Sequence, residues 1–250
     1  MQTIILSDLH LGARNSRTEL LVELLGGDFD RLVLNGDVVD TPDARLFGPG
    51  DHEVIARLRR VARERELVVV RGNHDILPGP DNPRGSTRFL AGLLGVPVVE
   101  THDLLVGRDR YLVIHGDQFD NTMNLTCVGD VADWFYRGMQ RFSRPLAHFA
   151  KHASKHVCGV VAAVQNRGLE FARRHGYDGL ITGHTHFHHA EVLGGAHYLN
   201  SGCWVDSPCT FIRVAGGAAA VVTWDEHASR TAPERGRIVV PAPVACATGS

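Results

Sequence analysis

The chain has 250 residues, 44% of them apolar and 22% charged, with a formal net charge of -2. This is an ordinary balance for a soluble globular protein, with enough chain to bury a core without staples. It gives no support to nucleic acid as a partner of the whole molecule, and the five cysteines, odd in number and irregularly spaced, do not describe a disulfide framework.

Taken in order, Thr3 to Leu6 reads as a buried strand, Thr18 to Leu25 as a helix and Arg31 to Leu34 as a second strand. His52 to Arg65 carries Val54, Ile55, Leu58, Val61 and Ala62 at helical spacing. Leu67 to Val70 is a strand, Ser86 to Leu94 a short helix and Tyr111 to Ile114 a strand. This alternation predicts an α/β layered domain. From Asn121 to Gly176 no strand stands out and a helical insertion is expected. Gly179 to Thr182, His197 to Asn200, Thr210 to Val214 and Ala218 to Trp224 then read as strands, with Gly194-Gly195 and Gly216-Gly217 as hairpin turns. The tail beyond Arg230, rich in Pro, Ala and Gly, is expected to be loosely held. No apolar run approaches the roughly 20 residues that span a bilayer, and no basic leader precedes Thr3. A reducing cytoplasm is the expected setting.

Five polar clusters each follow an apolar strand: Ser7-Asp8-Leu9-His10, Asn35-Gly36-Asp37, Gly72-Asn73-His74-Asp75, His115-Gly116-Asp117 and Gly183-His184-Thr185-His186. Strand ends in a layered α/β fold line one crevice, so these loops deliver Asp, His and Asn side chains to one place. A polar residue at one strand end is commonplace, and Gly36-Asp37 alone would mark a turn. Two histidines flanking one residue after a buried strand have little packing rationale. Carboxylate, imidazole and amide donors without a thiolate suit divalent Mn, Fe, Co or Zn in an open site. Asp8, His10, Asp37, Asn73, His115, His184 and His186 are too many ligands for one cation. They fit two if a carboxylate bridges, and two such ions roughly 3.5–4 Å apart clamp a phosphate and acidify water.

The set resembles the calcineurin-like metallophosphoesterase superfamily, whose pattern is D-x-H, GD, GNHD, an isolated H and GHxH. The resemblance implies an α/β/β/α sandwich of two mixed sheets, with a helical cap at about 121–176 inside a domain of residues 1–230. It implies one cation on Asp8, His10 and His186, another on Asn73, His115 and His184, and Asp37 bridging. It further implies that His74 protonates the leaving oxygen or stabilises the transition state, supported by Asp75.

Ser7-Asp8-Leu9-His10-Leu11-Gly12, His115-Gly116-Asp117-Gln118-Phe119-Asp120 and Tyr198-Leu199-Asn200-Ser201-Gly202-Cys203-Trp204-Val205-Asp206 look most like the branch containing UDP-2,3-diacylglucosamine diphosphatases. That branch carries Arg where this chain has His74, and often an acidic residue where it has Cys203. The branch implies a lipid- or nucleotide-linked pyrophosphate substrate, manganese as the first metal and lipid A synthesis as the setting. The alternatives are a soluble phosphodiesterase or phosphomonoesterase and, from another class, a metal-binding scaffold without catalysis.

The insertion is basic from Arg137 to Arg167 and holds both lysines, Lys151 and Lys155, interleaved with Trp134, Phe135, Met139 and Phe142. Such a segment suits an anionic lipid substrate or a peripheral contact with a membrane surface; it equally suits an apolar stripe packed on the core. His148, His152 and His156 recur at i, i+4 spacing, the pattern of a polar helix face. Asn35, Arg71 and Arg14 flank the motifs and are candidates to touch substrate phosphate.

Overall fold

A computed structural model describes residues 1–79, 82–120 and 146–224. The strands are β1 (Thr3–Leu6), β2 (Arg31–Asn35), β3 (Glu66–Val70), β4 (Leu77–Gly79), β5 (Asn82–Ser86), β6 (Val98–Val99), β7 (His102–Val106), β8 (Asp109–Val113), β9 (Gly179–Thr182), β10 (His189–Leu193), β11 (Ala196–Asn200), β12 (Cys209–Ala215) and β13 (Ala218–Trp224). The helices are α1 (Thr18–Leu25), α2 (Pro49–Glu64), α3 (Arg88–Leu94) and α4 (Leu146–Arg174).

Two mixed sheets stack face to face. The first runs β13-β12-β1-β2-β3-β6, parallel from β1 to β6 with β12 and β13 antiparallel. The second runs β10-β11-β9-β8-β7, with β11, β9 and β8 parallel between antiparallel edges. Strand side chains alternate between faces, and the sequence alternates with them. Ile5, Val33 and Val70 point at Val113, Ile181 and Leu199 of the second sheet, forming the inter-sheet core. Ile4, Leu6, Leu32 and Leu34 point the other way, under α1, α2 and α3. Helix α2 buries Val54, Ile55, Leu58 and Val61, one stripe at helical spacing. It starts at Pro49, three residues before the predicted His52, because Pro49 suits the first helical position and Asp51 accepts from the Gly48 amide at 2.8 Å.

Leu112, Leu180 and Tyr198, on the outer face of the second sheet, pack against Leu169 and Ala172 of α4. From Val164 onward the helix is the fourth layer of the sandwich, drawn in so closely that a Cβ on Gly168 would lie 2.6 Å from the Leu180 side chain. An apolar helical stripe reports that something is covered, not what covers it. Residues 121–145 and the tail expected beyond Arg230 lie outside the described residues, as do Arg137, Arg141 and Arg144.

Strands β7 and β10 escape the sequence reading because both are edges with polar, half-exposed residues such as His102, Asp103, His189 and Glu191. The short helix begins at Arg88, not Ser86, since Ser86 closes β5. Among the described residues no helix is long and apolar enough to cross a membrane.

Candidate metal centre

β1, β2 and β3 end side by side in the first sheet, β8 and β9 in the second, and the five loops that follow are laced together. Backbone bonds run from the Asp8 amide to the Gly36 carbonyl (3.0 Å), from His10 to Asp37 (3.0 Å) and from Gly183 to His115 (2.9 Å). The His184 amide donates to Asp8 Oδ2 at 3.1 Å and the His74 amide to Asp37 Oδ1 at 2.9 Å. Asn35, fully buried, donates from its amide to the Ile114 carbonyl at 3.2 Å, joining the sheets. It is therefore a structural residue and not a substrate contact. Arg71 is likewise committed, to Asp117 at 2.7 Å and Glu100 at 2.8 Å.

The backbone at the centre is held in an uncommon shape. Asp8, His10, Asp37, His184 and His186 all have positive φ, between 46° and 66°. A non-glycine residue there costs on the order of 1–3 kcal/mol, and such strain persists only where the surroundings over-determine it. Close packing adds to the constraint. A Cβ on Gly36 would sit 2.3 Å from His115 Nδ1, and one on Gly72 would sit 2.2 Å from the Asp37 amide nitrogen.

Two clusters result. Asp8, His10 and His186 bring ligand atoms within 4.8 Å of one another, and so do Asp37, His115 and His184. In the first, His186 Nε2 lies 3.2 Å from His10 Nε2 and 3.3 Å from Asp8 Oδ1. In the second, His115 Nε2 lies 3.3 Å from Asp37 Oδ2. The same Oδ2 is 3.8 Å from His10 Nε2, so the Asp37 carboxylate stands between the clusters. His115 Nδ1 donates to the Asn35 carbonyl at 2.8 Å, which leaves Nε2 as the ring nitrogen turned toward Asp37.

Divalent cations fit this arrangement. Asp8 Oδ1, Asn73 Oδ1 and His115 Nε2 are buried without a hydrogen-bond partner. Such atoms are costly unless something positive satisfies them. The charge pattern agrees. Burial works to raise the carboxyls of Asp8 and Asp37, yet His186 and His115 respectively hold both well below the ordinary range. Burial works to depress the imidazoles, yet Asp37 holds His115 at about 10 and Asp8 holds His186 at about 11. Asp37 and Asp8 thus favour the proton-bearing forms of His115 and His186. A ligating imidazole must be neutral, so cation uptake at pH 7 expels roughly two protons and its affinity rises with pH. Calorimetric titration in two buffers of different ionisation enthalpy measures that number; no buffer dependence would refute it.

His74 is 40% exposed in its side chain, with Nδ1 2.8 Å from the Asp40 carbonyl and its ring edge-on to His10, 4.7 Å between centroids. Burial lowers and Asp37 raises its pKa, with a net upward direction that favours the proton-bearing form. Asp75 does not touch that ring. Its fully buried carboxylate accepts from Gly72 at 2.8 Å, Val38 at 2.9 Å and Val39 at 3.2 Å, binding the Gly-Asn-His-Asp loop to the Gly-Asp loop. Asp75 therefore supports His74 through the backbone of its loop and through its charge, which helps to raise the His74 pKa. One residue escaped the sequence reading: Asp120, buried, lies with Oδ2 3.1 Å from His184 Nε2. It stands five positions after His115 and closes the His115–Asp120 motif. A carboxylate on one ring nitrogen orients the other and raises its basicity.

A two-sheet α/β sandwich with Asp, His and Asn side chains gathered at five strand ends defines a metallohydrolase. Residues 1–188 match the Calcineurin-like phosphoesterase family, and the chain belongs to that family: it is a metal-dependent phosphohydrolase of a dinuclear-metal class. Similar proteins include a UDP-2,3-diacylglucosamine hydrolase of Chromohalobacter salexigens, 28% identical over 211 residues, 74% of this chain and 80% of that protein. Another, from Chromobacterium violaceum, is 31% identical over 184 residues, 65% of this chain and 68% of that one. Among solved structures, Yfce, a phosphoesterase from E. coli, is 21% identical with a TM-score of 0.50, covering 96% of this chain and 97% of that chain, which supports the fold.

Proposed function

We propose that the chain hydrolyses a lipid- or nucleotide-linked pyrophosphate, with UDP-2,3-diacylglucosamine the leading candidate and UMP and an acylated sugar phosphate the products. The observation that carries the reading is the pair of clusters meeting at Asp37, in a chain whose similar proteins bear that substrate's name. Asp8, His10 and His186 would hold one cation, Asn73, His115 and His184 would hold the other, and Asp37 would serve both. Two divalent ions, manganese first, supply Lewis acidity toward a phosphoryl oxygen, charge neutralisation and a water acidified to near-neutral pH. The protein contributes position. Asp120 holds the His184 ring, Asp75 holds the two loops in register, and the Asp40 carbonyl holds His74 Nδ1. His74 then presents Nε2–H to the leaving oxygen. The basic and aromatic composition between Arg137 and Arg167 suits an acylated, anionic substrate at a cytoplasmic membrane surface.

Replacing His74 by Gln lowers kcat by roughly 10²–10⁴-fold with both metal equivalents retained. Turnover and metal content measured on one preparation check this, and equal loss of both would make His74 a structural residue. The substrate test is UMP release from UDP-2,3-diacylglucosamine beside UDP-N-acetylglucosamine, using metal-stripped protein resupplied with manganese. Strong preference for the acylated compound supports the reading; release from neither overturns it. His74, where the lipid A branch carries Arg, favours a second reading as a soluble phosphodiesterase or phosphomonoesterase. Turnover of bis-p-nitrophenyl or p-nitrophenyl phosphate alone would establish that one.

A further inference from the structure

A thiol stands beside the centre, and the mechanism above has no use for it. Cys203 is 2% exposed and unpaired, and its Sγ, a ring nitrogen of His186 and a carboxylate oxygen of Asp206 all lie within 4.8 Å of one another. Zinc bonds of about 2.0–2.3 Å in tetrahedral geometry place two ligand atoms of one ion about 3.3–3.8 Å apart, so small side-chain turns bring these three groups onto one ion.

The loop that carries the thiol is fastened to the centre. The Trp204 amide donates to the Asp8 carbonyl at 3.0 Å, and the Arg17 amide to the Trp204 carbonyl at 2.8 Å. Ser7 Oγ lies 2.6 Å from Ser201 Oγ and donates to the Gly202 carbonyl at 3.0 Å. Trp204 itself is fully buried. Cys203 is thus presented to His186 by the same strand-end framework that presents Asp8. His186 also faces the first cluster, where its Nε2 lies 3.3 Å from Asp8 Oδ1, a fully buried oxygen with no hydrogen-bond partner.

We propose that His186, Cys203 and Asp206 form a third cation site, with a preference for zinc-like ions, and that it shares His186 with the catalytic pair. The reasoning is donor chemistry. The two clusters joined at Asp37 offer only oxygen and nitrogen, which manganese accepts; adding a thiolate favours softer ions such as zinc and cobalt. One imidazole serving two positions couples them, so an ion drawn to Cys203 competes for His186. Zinc in excess therefore inhibits the manganese-loaded enzyme. The inference rests on the ligand set proposed above.

The test is a cobalt titration of the metal-stripped full-length chain, followed by absorption spectroscopy, with zinc inhibition of manganese-supported turnover measured alongside. In the unsubstituted protein, a near-ultraviolet thiolate-to-cobalt charge-transfer band grows after the first two equivalents. The band is absent in Cys203→Ser, persists in Cys209→Ser, and the zinc inhibition midpoint of Cys203→Ser rises about tenfold or more. Two equivalents bound with no thiolate band at any cobalt concentration would overturn the third site and leave the two-metal centre intact. No cobalt uptake at all would overturn both. A band complete within the first two equivalents, one that survives Cys203→Ser, or unchanged zinc inhibition in that variant would also overturn the proposal.

Discussion

Asp37→Ala is expected to remove metal-supported hydrolysis while the chain stays folded. The Asp37 carboxylate reaches toward both clusters, 3.8 Å from His10 and 3.3 Å from His115. Losing an outer partner of a metal ligand already costs about 10–100-fold, so losing the shared ligand costs more than about 10²-fold. Folding is less affected because Asp37 is surrounded by groups that need it chiefly for charge. Without the carboxylate, burial depresses the His115 pKa and the ring is carried neutral. The exposed cost is the His74 amide, which loses its acceptor. Asp37→Asn, which keeps a carbonyl there, separates that cost from the metal effect. Metal analysis, turnover and circular dichroism on both variants decide the matter. Normal metal-dependent rates in Asp37→Ala would end the assignment.

The second large effect falls on stability. Asp75→Ala strands the amides of Gly72, Val38 and Val39, all beneath the centre. A buried donor left without a partner costs roughly 1–3 kcal/mol, so the loss is about 3–5 kcal/mol even if one amide finds water. That is a large share of a typical 5–15 kcal/mol of stability, and about 10 °C in Tm for a chain of this size. Urea and thermal unfolding of the metal-free protein measure it. The pH dependence has a definite sign. Burial, then Asp37, raises Asp75 to about 6 in the folded protein, above the ordinary value for aspartate. Between about pH 4 and 6 the folded state then binds more protons than the unfolded one, so this contribution is complete below that window and declines as pH rises through it. The stability gap between the unsubstituted protein and Asp75→Ala is therefore larger at pH 4 than at pH 7. An equal gap at both would show that Asp75 is not held in the protonated form.

Much of the centre is legible in the sequence because strand ends have a local signature. An apolar run such as Thr3–Leu6 or Gly179–Thr182 must be buried, and a polar cluster straight after it must emerge at the sheet edge. That places Asp8, His10, Asp37, Asn73, His115, His184 and His186 on five neighbouring loops before any coordinates are known. It does not say which oxygen of Asp37 faces His115, that Asp75 binds amides and not the His74 ring, or that Asp120 leans on His184. The longer of those pairings join residues 37 to 78 positions apart, and only the sheet order brings them together. Edge strands β7 and β10 are hidden for the opposite reason: half their surface stays in water, and in β7 the exposed Leu105 between buried Leu104 and Val106 erases the apolar–polar alternation. The end of α4 shows the same divide. Its composition announces an apolar stripe, but only the close approach at Gly168 makes that stripe a wall of the sandwich. Local burial, then, is written along the chain, whereas the partner across the gap is chosen by how the layers stack.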